Sequence, residues 1–442
     1  ATLDLADIEK KIATARANAQ SYRQAITELE TGLGEMQNQL YAARTQYQQC
    51  QAVVDEFERL KLEVTSSQST LQRNKLIFSG FYQGMPGWCT VNRDIMRELH
   101  RRGVDIQLDP YFTEFTPDQK LTQFEESFFH TLIGKRNSPQ SIYFNSACTH
   151  RLKPNYPANY KIAFTMFESH EGLPVTYREI ANSYNSIFVP SQHCYKLYKD
   201  AGVVRPIEVT HIGVDIEKFR RVPPMSELES DRCVYGTSGW MCHRKGFDIV
   251  LKAYFTAFDA DDNVELVFKP YLPWGGGDEQ VQALIADVGK HFSKNLPKLT
   301  VINRMLTQEE MPAFYSSLDY YVVGSRGEGY AMQPLEALSC GVPIIHPSAL
   351  ELEYVTSTNS VPYYIEGTKV AGDEMCGLTE AYRGLEFIEP SWESLADRMR
   401  WTYENQLDYS ASCRNSADLF SWEVCGQRIH DRLAAVYNMF EE

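Results

Sequence analysis

Two carboxylates stand eight positions apart in a stretch that has the residue types of an anion-binding loop. Glu328 lies between two glycines after a short apolar run, and Glu336 follows on the next helix-forming segment. A helix that begins near Gly329–Met332 presents free backbone N–H groups and the positive end of its dipole, which suit a diphosphate. Glu328 would then accept hydrogen bonds from sugar hydroxyls, and Glu336 from a ribose.

The elements that must position these carboxylates begin with an α/β pattern near residue 75. Residues 75–78 are typical of a short buried strand, 84–87 of a tight glycine loop, and 90–102 of an amphipathic helix that stops at Gly103. A strand, a glycine loop, a helix and a second strand open a doubly wound α/β domain. Further strands of this half are predicted at 104–106, 141–144, 161–164 and 186–189.

The pattern restarts after a proline-containing linker at 220–224. Strands of the second half are predicted at 233–236, 265–268, 299–302 and 320–323. We therefore predict an α/β fold of two Rossmann-like domains facing a central cleft. The first domain spans 72–220 and the second 221–442, with the final helix as a candidate to cross back to the first.

The first 71 residues predict a long helix of another kind. They contain no proline, and fifteen apolar or small positions from Ile8 to Phe57 recur at alternating steps of four and three. This 3.5-residue period is typical of a left-handed coiled coil. The helix would be about 74 Å long at 1.5 Å per residue. We predict that it pairs with copies of itself; the alternative is a lone helix docked on the rest of the chain.

Composition excludes several classes of protein. The 442 residues are 43% apolar and 23% charged, as in globular proteins, and no apolar run is long enough to span a membrane. The net charge of −15 argues against a general nucleic-acid binder. Residues 72–205 are net basic, with 16 Lys and Arg against 12 Asp and Glu. This excess is either ordinary surface variation or a face for an anionic lipid or a diphosphate-bearing acceptor.

The ten cysteines contain no C-x-x-C pair, so neither disulfides nor a zinc site is expected and a reducing cytosol is favoured. We expect a cytoplasmic protein, with peripheral contact at the inner face of the membrane as a further option. The sequence begins with Ala1 rather than Met, which favours a processed product or an excised fragment.

The spacing of Glu328 and Glu336 resembles the Glu-(seven residues)-Glu signature of glycosyltransferase family 4 and its relatives, which are retaining enzymes with the GT-B fold. Other segments resemble the family in the same order. They are the glycine loop at 84–88, the segments 188–192 and 211–215, and the basic turn at 244–248. The resemblance covers about residues 75–438 and leaves the coiled coil outside.

The resemblance implies roles for individual residues. Lys245 and Arg244 would neutralise the leaving diphosphate. The family's usual Arg several positions before the Lys is absent from residues 237–242, and Lys269 has an open role. Glu328 would hold the transferred sugar. The implied donor-binding residues are Gly87, Trp88, Gly329, Tyr330, Ala331, Met332 and Glu336.

Two further residues follow the strand at 161–164. The family often carries a histidine or an acidic residue here that contacts the sugar or acceptor, so His170 and Glu168 are candidates. The alternative is an ordinary loop or helix-cap role. The acidic run at 259–262 is interpreted as a solvated turn, so we expect no metal and no cofactor besides the nucleotide-sugar substrate.

The sequence thus predicts a retaining, metal-independent hexosyltransferase that transfers a hexose from a nucleotide-sugar to a glycan or lipid-linked glycan. GDP-mannose is preferred on resemblance alone. The alternatives are a GT-B nucleotide-sugar epimerase or glycoside phosphorylase, and an inactive GT-B scaffold whose coiled coil assembles other proteins. The coiled coil predicts a homo-oligomer.

Overall fold

The structure is a computed structural model, and it describes residues 9–18, 20–21, 75–84, 87–111, 121, 123–133, 141–272, 277–307, 309–377, 379–406 and 408–438. The chain forms two compact units. One comprises residues 1–75 and 120–137, and the other comprises residues 76–119 and 138–442.

The described part of the first unit is mainly helical. Residues 9–18 and 20–21 are helical, and a further helix spans Gln123–Leu132. Ile12 and Ala15, two of the predicted seam positions, are buried. Most of the predicted coiled coil lies outside the described residues, so its pairing stays a prediction.

The first sheet of the second unit has six strands in the order β2-β1-β3-β4-β5-β6, and β1, β3, β4, β5 and β6 pair in parallel. The strands β3 and β5 are buried along their whole length. Such apolar strands need cover on both faces, which the crossover helices supply. The strands are β1 Lys75–Phe81, β2 Asp105–Tyr111, β3 Ile142–Ser146, β4 Tyr160–Phe164, β5 Ser186–Val189 and β6 Ile207–Val209.

The second sheet has six parallel strands in the order β12-β11-β10-β7-β8-β9. Its strands are β7 Cys233–Trp240, β8 Val264–Tyr271, β9 Lys298–Val301, β10 Tyr320–Val322, β11 Ile344–Pro347 and β12 Ser360–Tyr363. Both sheets have the doubly wound pattern that the sequence predicts, so two Rossmann-like halves are confirmed.

Helices of the second unit cover these sheets and connect their strands. They are α1 Gly87–Arg101, α2 Val175–Asn182, α3 Gln192–Asp200, α4 Phe247–Ala257, α5 Asp278–Gly289, α6 Glu310–Ser316, α7 Met332–Ser339, α8 Asp373–Cys376, α9 Trp392–Asn405, α10 Ser410–Leu419 and α11 Trp422–Asn438.

An antiparallel hairpin that the sequence did not predict follows the second sheet. It pairs β13 Ile365–Val370 with β14 Glu386–Pro390. The first residue of β14, Glu386, also bridges to Glu171 in the loop after β4 of the first half. The hairpin therefore connects the two halves beside the carboxyl ends of their strands.

The last helix, α11, returns to the first half and packs on α1. A Cβ at Gly426 would lie 2.9 Å from the Cβ of Glu98, so only a glycine allows the two helices this approach. Arg102 at the end of α1 donates to the side chain of Gln427 at 3.2 Å. The chain thus crosses between the halves twice.

Candidate active site

Glu328 lies in the loop that joins β10 to α7, at the carboxyl end of the second sheet. In an open parallel sheet this edge is where ligands bind. The helix α7 begins at Met332, and its N-cap residue Ala331 makes no side-chain hydrogen bond to the first turn. The N–H groups of Met332 and Gln333 thus have no N-cap side chain, Pro334 has no N–H, and the binding of a diphosphate at this turn stays a prediction.

The carboxylate of Glu328 is held between two cations. Its Oε1 lies 2.6 Å from Nζ of Lys245, and its Oε2 lies 3.2 Å from Nη1 of Arg244. The hydroxyl of Ser325 also donates to Oε1 at 2.6 Å. The two predicted motifs, 83 residues apart in the chain, form one charged cluster.

This cluster fixes the charge of Glu328. Burial alone would raise the pKa of its carboxyl, but Lys245 and Arg244 outweigh that effect and hold the pKa at about 2. Glu328 is therefore a carboxylate throughout the neutral range. It can accept hydrogen bonds from hydroxyl groups and cannot donate one.

The two cations differ in the contacts that their side chains already make. The guanidinium of Arg244 also donates to the backbone carbonyl of Gly327 at 2.6 Å, and its side chain is 8% exposed. Its Nε is buried without a partner among the described residues. Lys245 has three donor directions on a rotatable ammonium, one of which Glu328 occupies. Lys245 is thus the better placed to add a contact to a diphosphate, and Arg244 holds the loop.

The turn that carries both cations depends on a close backbone approach. It is a 3₁₀ turn, His243–Lys245, that ends at Gly246 with φ of +64°. A Cβ at Gly246 would lie 1.9 Å from the carbonyl oxygen of Gly324. Only glycine allows this left-handed conformation and this contact, so Gly246 sets the cations against the Glu328 loop.

The loop after β4 forms the opposite wall. A Cβ at Gly327 would lie 2.1 Å from the carbonyl oxygen of Glu168, which shows how closely the two loops pack. The side chain of Glu168 accepts a hydrogen bond from the hydroxyl of Tyr382 at 3.0 Å. The backbone N–H of His170 donates to the carbonyl of Glu386 at 2.7 Å, so the hairpin supports this wall.

Several of the predicted site residues line one pocket between these walls. His170 comes from the first half, and its neighbours Ser169 and His193 line the same pocket. The predicted residues of the second half are Glu328, Gly329, Tyr330 and Ala331.

The other predicted donor-binding residues lie nearby with different contacts. Tyr330 is buried and its hydroxyl donates to the carbonyl of Ile212 at 2.8 Å, so its side chain serves packing. Gly87 faces the start of α7, where a Cβ would lie 3.8 Å from the sulfur of Met332. The ring of Trp88 packs edge-on against Phe164 at 6.1 Å.

Glu336 lies about one turn into α7 and, among the described residues, makes no hydrogen bond or ion pair with the Glu328 cluster. Its Oε2 accepts a hydrogen bond from the hydroxyl of Tyr315 at 2.6 Å. Burial raises the pKa of its carboxyl to about 7, against the lowering effects of the Tyr315 hydrogen bond and of Lys218 and Lys269. This carboxyl therefore changes charge near neutral pH.

Arg326 is a residue that the sequence analysis missed. Its buried guanidinium donates to both carboxylate oxygens of Asp248, at 2.9 and 2.8 Å, and to Glu389 at 3.1 Å. It also donates to the carbonyl of His243 at 2.7 Å. Its position two residues before Glu328 could have indicated a role at the site. Its partner Glu389, however, lies on the hairpin that the sequence did not predict, so this ion pair was not foreseen.

The acidic run at 259–262 is a turn, as predicted. Asp262 pairs with both terminal nitrogens of Arg400, at 2.8 and 2.9 Å, and Asp259 accepts from the backbone N–H of Asp261. Among the described residues, no three His, Cys, Asp or Glu side chains are grouped to hold a metal ion. In the same part of the chain, no helix is long and apolar enough to cross a membrane.

Comparison with known proteins gives two sequence matches. Residues 232–369 match the family described as Glycosyl transferases group 1. A curated relative, the lipopolysaccharide core biosynthesis mannosyltransferase LpsB of Rhizobium meliloti, is 27% identical over 189 residues. That match covers 38% of this chain and 47% of LpsB, so the chain spans less than half the length of the curated relative.

Solved structures match more of the chain at lower identity. Sucrose-phosphate synthase from Thermosynechococcus elongatus has a TM-score of 0.56 at 13% identity, over 83% of this chain and 100% of that one. HepE from Anabaena, in complex with UDP, has a TM-score of 0.54 at 13% identity, over 82% and 100%.

These likenesses confirm the GT-B fold that the sequence predicts. Both sequence matches are to glycosyltransferases. The described halves of the second unit therefore form a GT-B fold, and residues 232–369, which contain Lys245, Glu328 and Glu336, match glycosyl transferases group 1.

Proposed function

We propose that the chain is a retaining hexosyltransferase that uses a nucleotide-sugar donor. The observation that carries this proposal is the cluster of Glu328, Lys245 and Arg244 just before α7, in which Glu328 lines the same pocket as His170. It combines a hydrogen-bond acceptor for sugar hydroxyls with fixed positive charge for a diphosphate. The match of residues 232–369 to glycosyl transferases group 1 supports the same reaction class.

The mechanism follows from where charge develops. Breaking the bond between the anomeric carbon and the diphosphate oxygen leaves negative charge on the diphosphate. Lys245 and the N–H groups at the start of α7 stabilise that charge in place, without reorganisation. Glu328 orients the sugar, and its negative charge favours oxocarbenium character on the ring.

The acceptor hydroxyl attacks from the face that the leaving group vacates, and its proton passes to the departing phosphate oxygen. No protein nucleophile takes part in this scheme. His170 contacts the sugar or the acceptor from the opposite wall.

The donor is a hexose nucleotide, with GDP-mannose as the first candidate. The mannosyltransferase relative LpsB supports mannose as the sugar. The acceptor is a glycan or a lipid-linked glycan, and the name of the same relative supports a surface glycan. Catalysis is metal-independent in this proposal, because Lys245 and the helix dipole take the place of a bound cation.

Residues 1–71 add an assembly function to this enzyme. A coiled coil would hold two or more catalytic units together, and the net-basic segment 72–205 would give peripheral contact with an anionic membrane. The competing candidate is an inactive GT-B scaffold. The presence of Glu328, Glu336 and Lys245 together argues against it.

Donor hydrolysis by the full chain, measured with a panel of nucleotide-sugars, tests the proposal. We expect release of the nucleoside diphosphate from one hexose donor, and loss of that release in Lys245→Met. Lys290→Met is the matched control, since Lys290 is an exposed lysine of the same half, paired with Asp287. No hydrolysis or binding of any nucleotide-sugar would favour the scaffold.

A further inference from the structure

Lys269 is a buried lysine that the mechanism above does not use. It lies on β8, near the carboxyl end of the strand, and is 5% exposed. No hydrogen bond or ion pair of its ammonium is found among the described residues, although the nitrogen itself is not fully enclosed. A mostly buried charge without a protein partner is costly, and a bound ligand is one way to complete it.

The strand geometry places Lys269 on the face of the sheet that carries Glu336. The preceding residue, Phe268, packs against Phe247 at 5.0 Å, on the face covered by α4. Because side chains alternate along a strand, Lys269 points to the other face. Its partner in the register, Ser238, lies on that face.

A row of polar groups runs from this point to Glu336. The hydroxyl of Ser238 lies 3.0 Å from the hydroxyl of Tyr321, and the ring of Tyr321 lies 5.8 Å from that of Tyr315. Tyr315 in turn donates to Glu336. Lys269 and Glu336 thus lie on the same side of the sheet, with the buried side chains of Tyr321 and Tyr315 between them.

The carboxylates that act on Lys269 form their contacts with other residues. Burial and Arg304 lower the pKa of its ammonium, against the raising effects of Glu310 and Glu336, to about 8. Glu310 is already paired with Arg304 at 2.8 Å, and Glu336 receives the Tyr315 hydroxyl. The ammonium is therefore charged at neutral pH and keeps its donors for another molecule.

The position of Glu336 limits which part of a donor reaches Lys269. This inference rests on the proposed donor site, in which the diphosphate lies at Lys245 and the ribose at Glu336. Among the described residues, Glu328 pairs with Lys245 and Arg244, and no hydrogen bond or ion pair joins Lys269 to this diphosphate cluster. The part of a nucleotide-sugar that continues beyond the ribose is the base.

We propose that Lys269 is a specificity-determining residue that donates a hydrogen bond to a carbonyl oxygen of the donor's base. An ammonium has three donors and no acceptor, so it recognises acceptor atoms alone. Uracil and guanine present a carbonyl oxygen where cytosine and adenine present an amino group. Lys269 therefore selects a uridine or guanosine diphosphate over a cytidine or adenosine diphosphate.

The test compares four nucleotides on three proteins. Binding of UDP, GDP, CDP and ADP is measured by calorimetry on the full chain, on Lys269→Met and on the exposed-lysine control Lys290→Met. We expect the unaltered chain and the control to bind UDP or GDP more tightly than CDP and ADP. In Lys269→Met the preferred nucleotide should bind about 10- to 100-fold more weakly, as for a lost charged hydrogen bond, with CDP and ADP unchanged.

Thermal denaturation of the free proteins separates this role from a structural one. Replacing an unpaired buried ammonium by an apolar side chain should leave the midpoint unchanged or raise it. Equal affinities of Lys269→Met and the unaltered chain for all four nucleotides would overturn the inference. An equal loss of affinity for all four nucleotides would also overturn it, since that result would mean that Lys269 contacts the phosphates or has a structural role in the core. If the unaltered chain binds none of the four, the proposed function itself fails.

Discussion

Nζ of Lys245 and Oε1 of Glu328 lie 2.6 Å apart, with both side chains more than four-fifths buried. The cation proposed to receive the leaving diphosphate is thus paired, before any substrate binds, with the carboxylate proposed to hold the sugar. Removing either partner leaves the other as a buried charge with fewer contacts, which has consequences for stability as well as for catalysis.

Lys245→Met should lower the transfer rate by about 10²- to 10³-fold, as for the loss of one preorganised donor to a developing anion. Glu328→Gln should do likewise, because a neutral amide neither balances Lys245 nor stabilises positive charge on the sugar. Steady-state rates with the best donor measure both. Rates within a few-fold of the unaltered chain in both variants would contradict these assignments.

Glu328→Ala should also destabilise the fold, and by more than Glu328→Gln, whose amide oxygen can still accept a hydrogen bond from one of the two cations. Both variants leave Lys245 and Arg244 without a carboxylate, and breaking a buried ion pair from one side costs about 3–5 kcal/mol. Denaturant unfolding of the two variants measures this difference. Equal stabilities would mean that water replaces the carboxylate at no cost.

Arg326 should act as a positioning residue for the cationic turn. It connects Asp248 and the carbonyl of His243 to the loop of Glu328, and a lysine cannot reproduce these bidentate contacts. We expect Arg326→Lys to lower kcat by at least about 10-fold with a smaller change in KM, since small displacements of catalytic groups cost rate. Lys369→Met is the control, because Lys369 also pairs with Glu389 but is 64% exposed. Unchanged kcat in Arg326→Lys would contradict the positioning role.

Glu336 should make nucleotide binding depend on pH. Its pKa of about 7 means that the carboxylate, which accepts from ribose hydroxyls, forms as pH rises from 6 to 8. UDP or GDP affinity should therefore rise over this range, by more in the unaltered chain than in Glu336→Gln. The comparison with Glu336→Gln removes the contribution of the ligand's own ionisation. Parallel pH profiles in the two proteins would exclude Glu336 as the titrating group.

The ionisation of Glu336 should also lower the stability of the folded protein as pH rises. Its pKa in the folded protein lies above the ordinary value of 4.5, so it favours the folded state below that value. This contribution is lost as pH rises from about 4.5 to 7. Glu336→Gln, which stays neutral, should therefore be more stable than the unaltered chain at pH 8, as thermal denaturation at pH 5 and pH 8 would measure.

Chelation should leave activity within a few-fold, because the proposed mechanism stabilises the diphosphate with Lys245 and the start of α7. Transfer rates with and without EDTA check this. Complete loss of activity, restored by Mg²⁺ or Mn²⁺, would contradict metal independence.

Deleting residues 1–70 should give a smaller oligomer that still binds nucleotide, since every proposed site residue lies after residue 86. Light scattering of the full and shortened chains measures the first effect, and calorimetry measures the second. A full chain that is monomeric at micromolar concentration would contradict self-association through the coiled coil.

Local patterns in the sequence determined the alternating elements and the strand ends at which the candidate site residues lie. Glycines before and after Glu328, followed by helix-forming residues, predicted a loop and a helix start, and the structure has α7 begin at Met332. These features depend on residues close in the chain, where periodicity and turn chemistry act directly.

The tertiary structure alone decided which distant groups meet. Arg244 was predicted as a diphosphate cation, yet it donates to the carbonyl of Gly327 as well as to Glu328. Arg326 meets Glu389 through a hairpin that periodicity did not predict. Glu310, one of the carboxylates that act on Lys269, pairs with Arg304 instead. Strand order and the close approach of loops set these contacts, and neither is encoded in the spacing of residues along one segment.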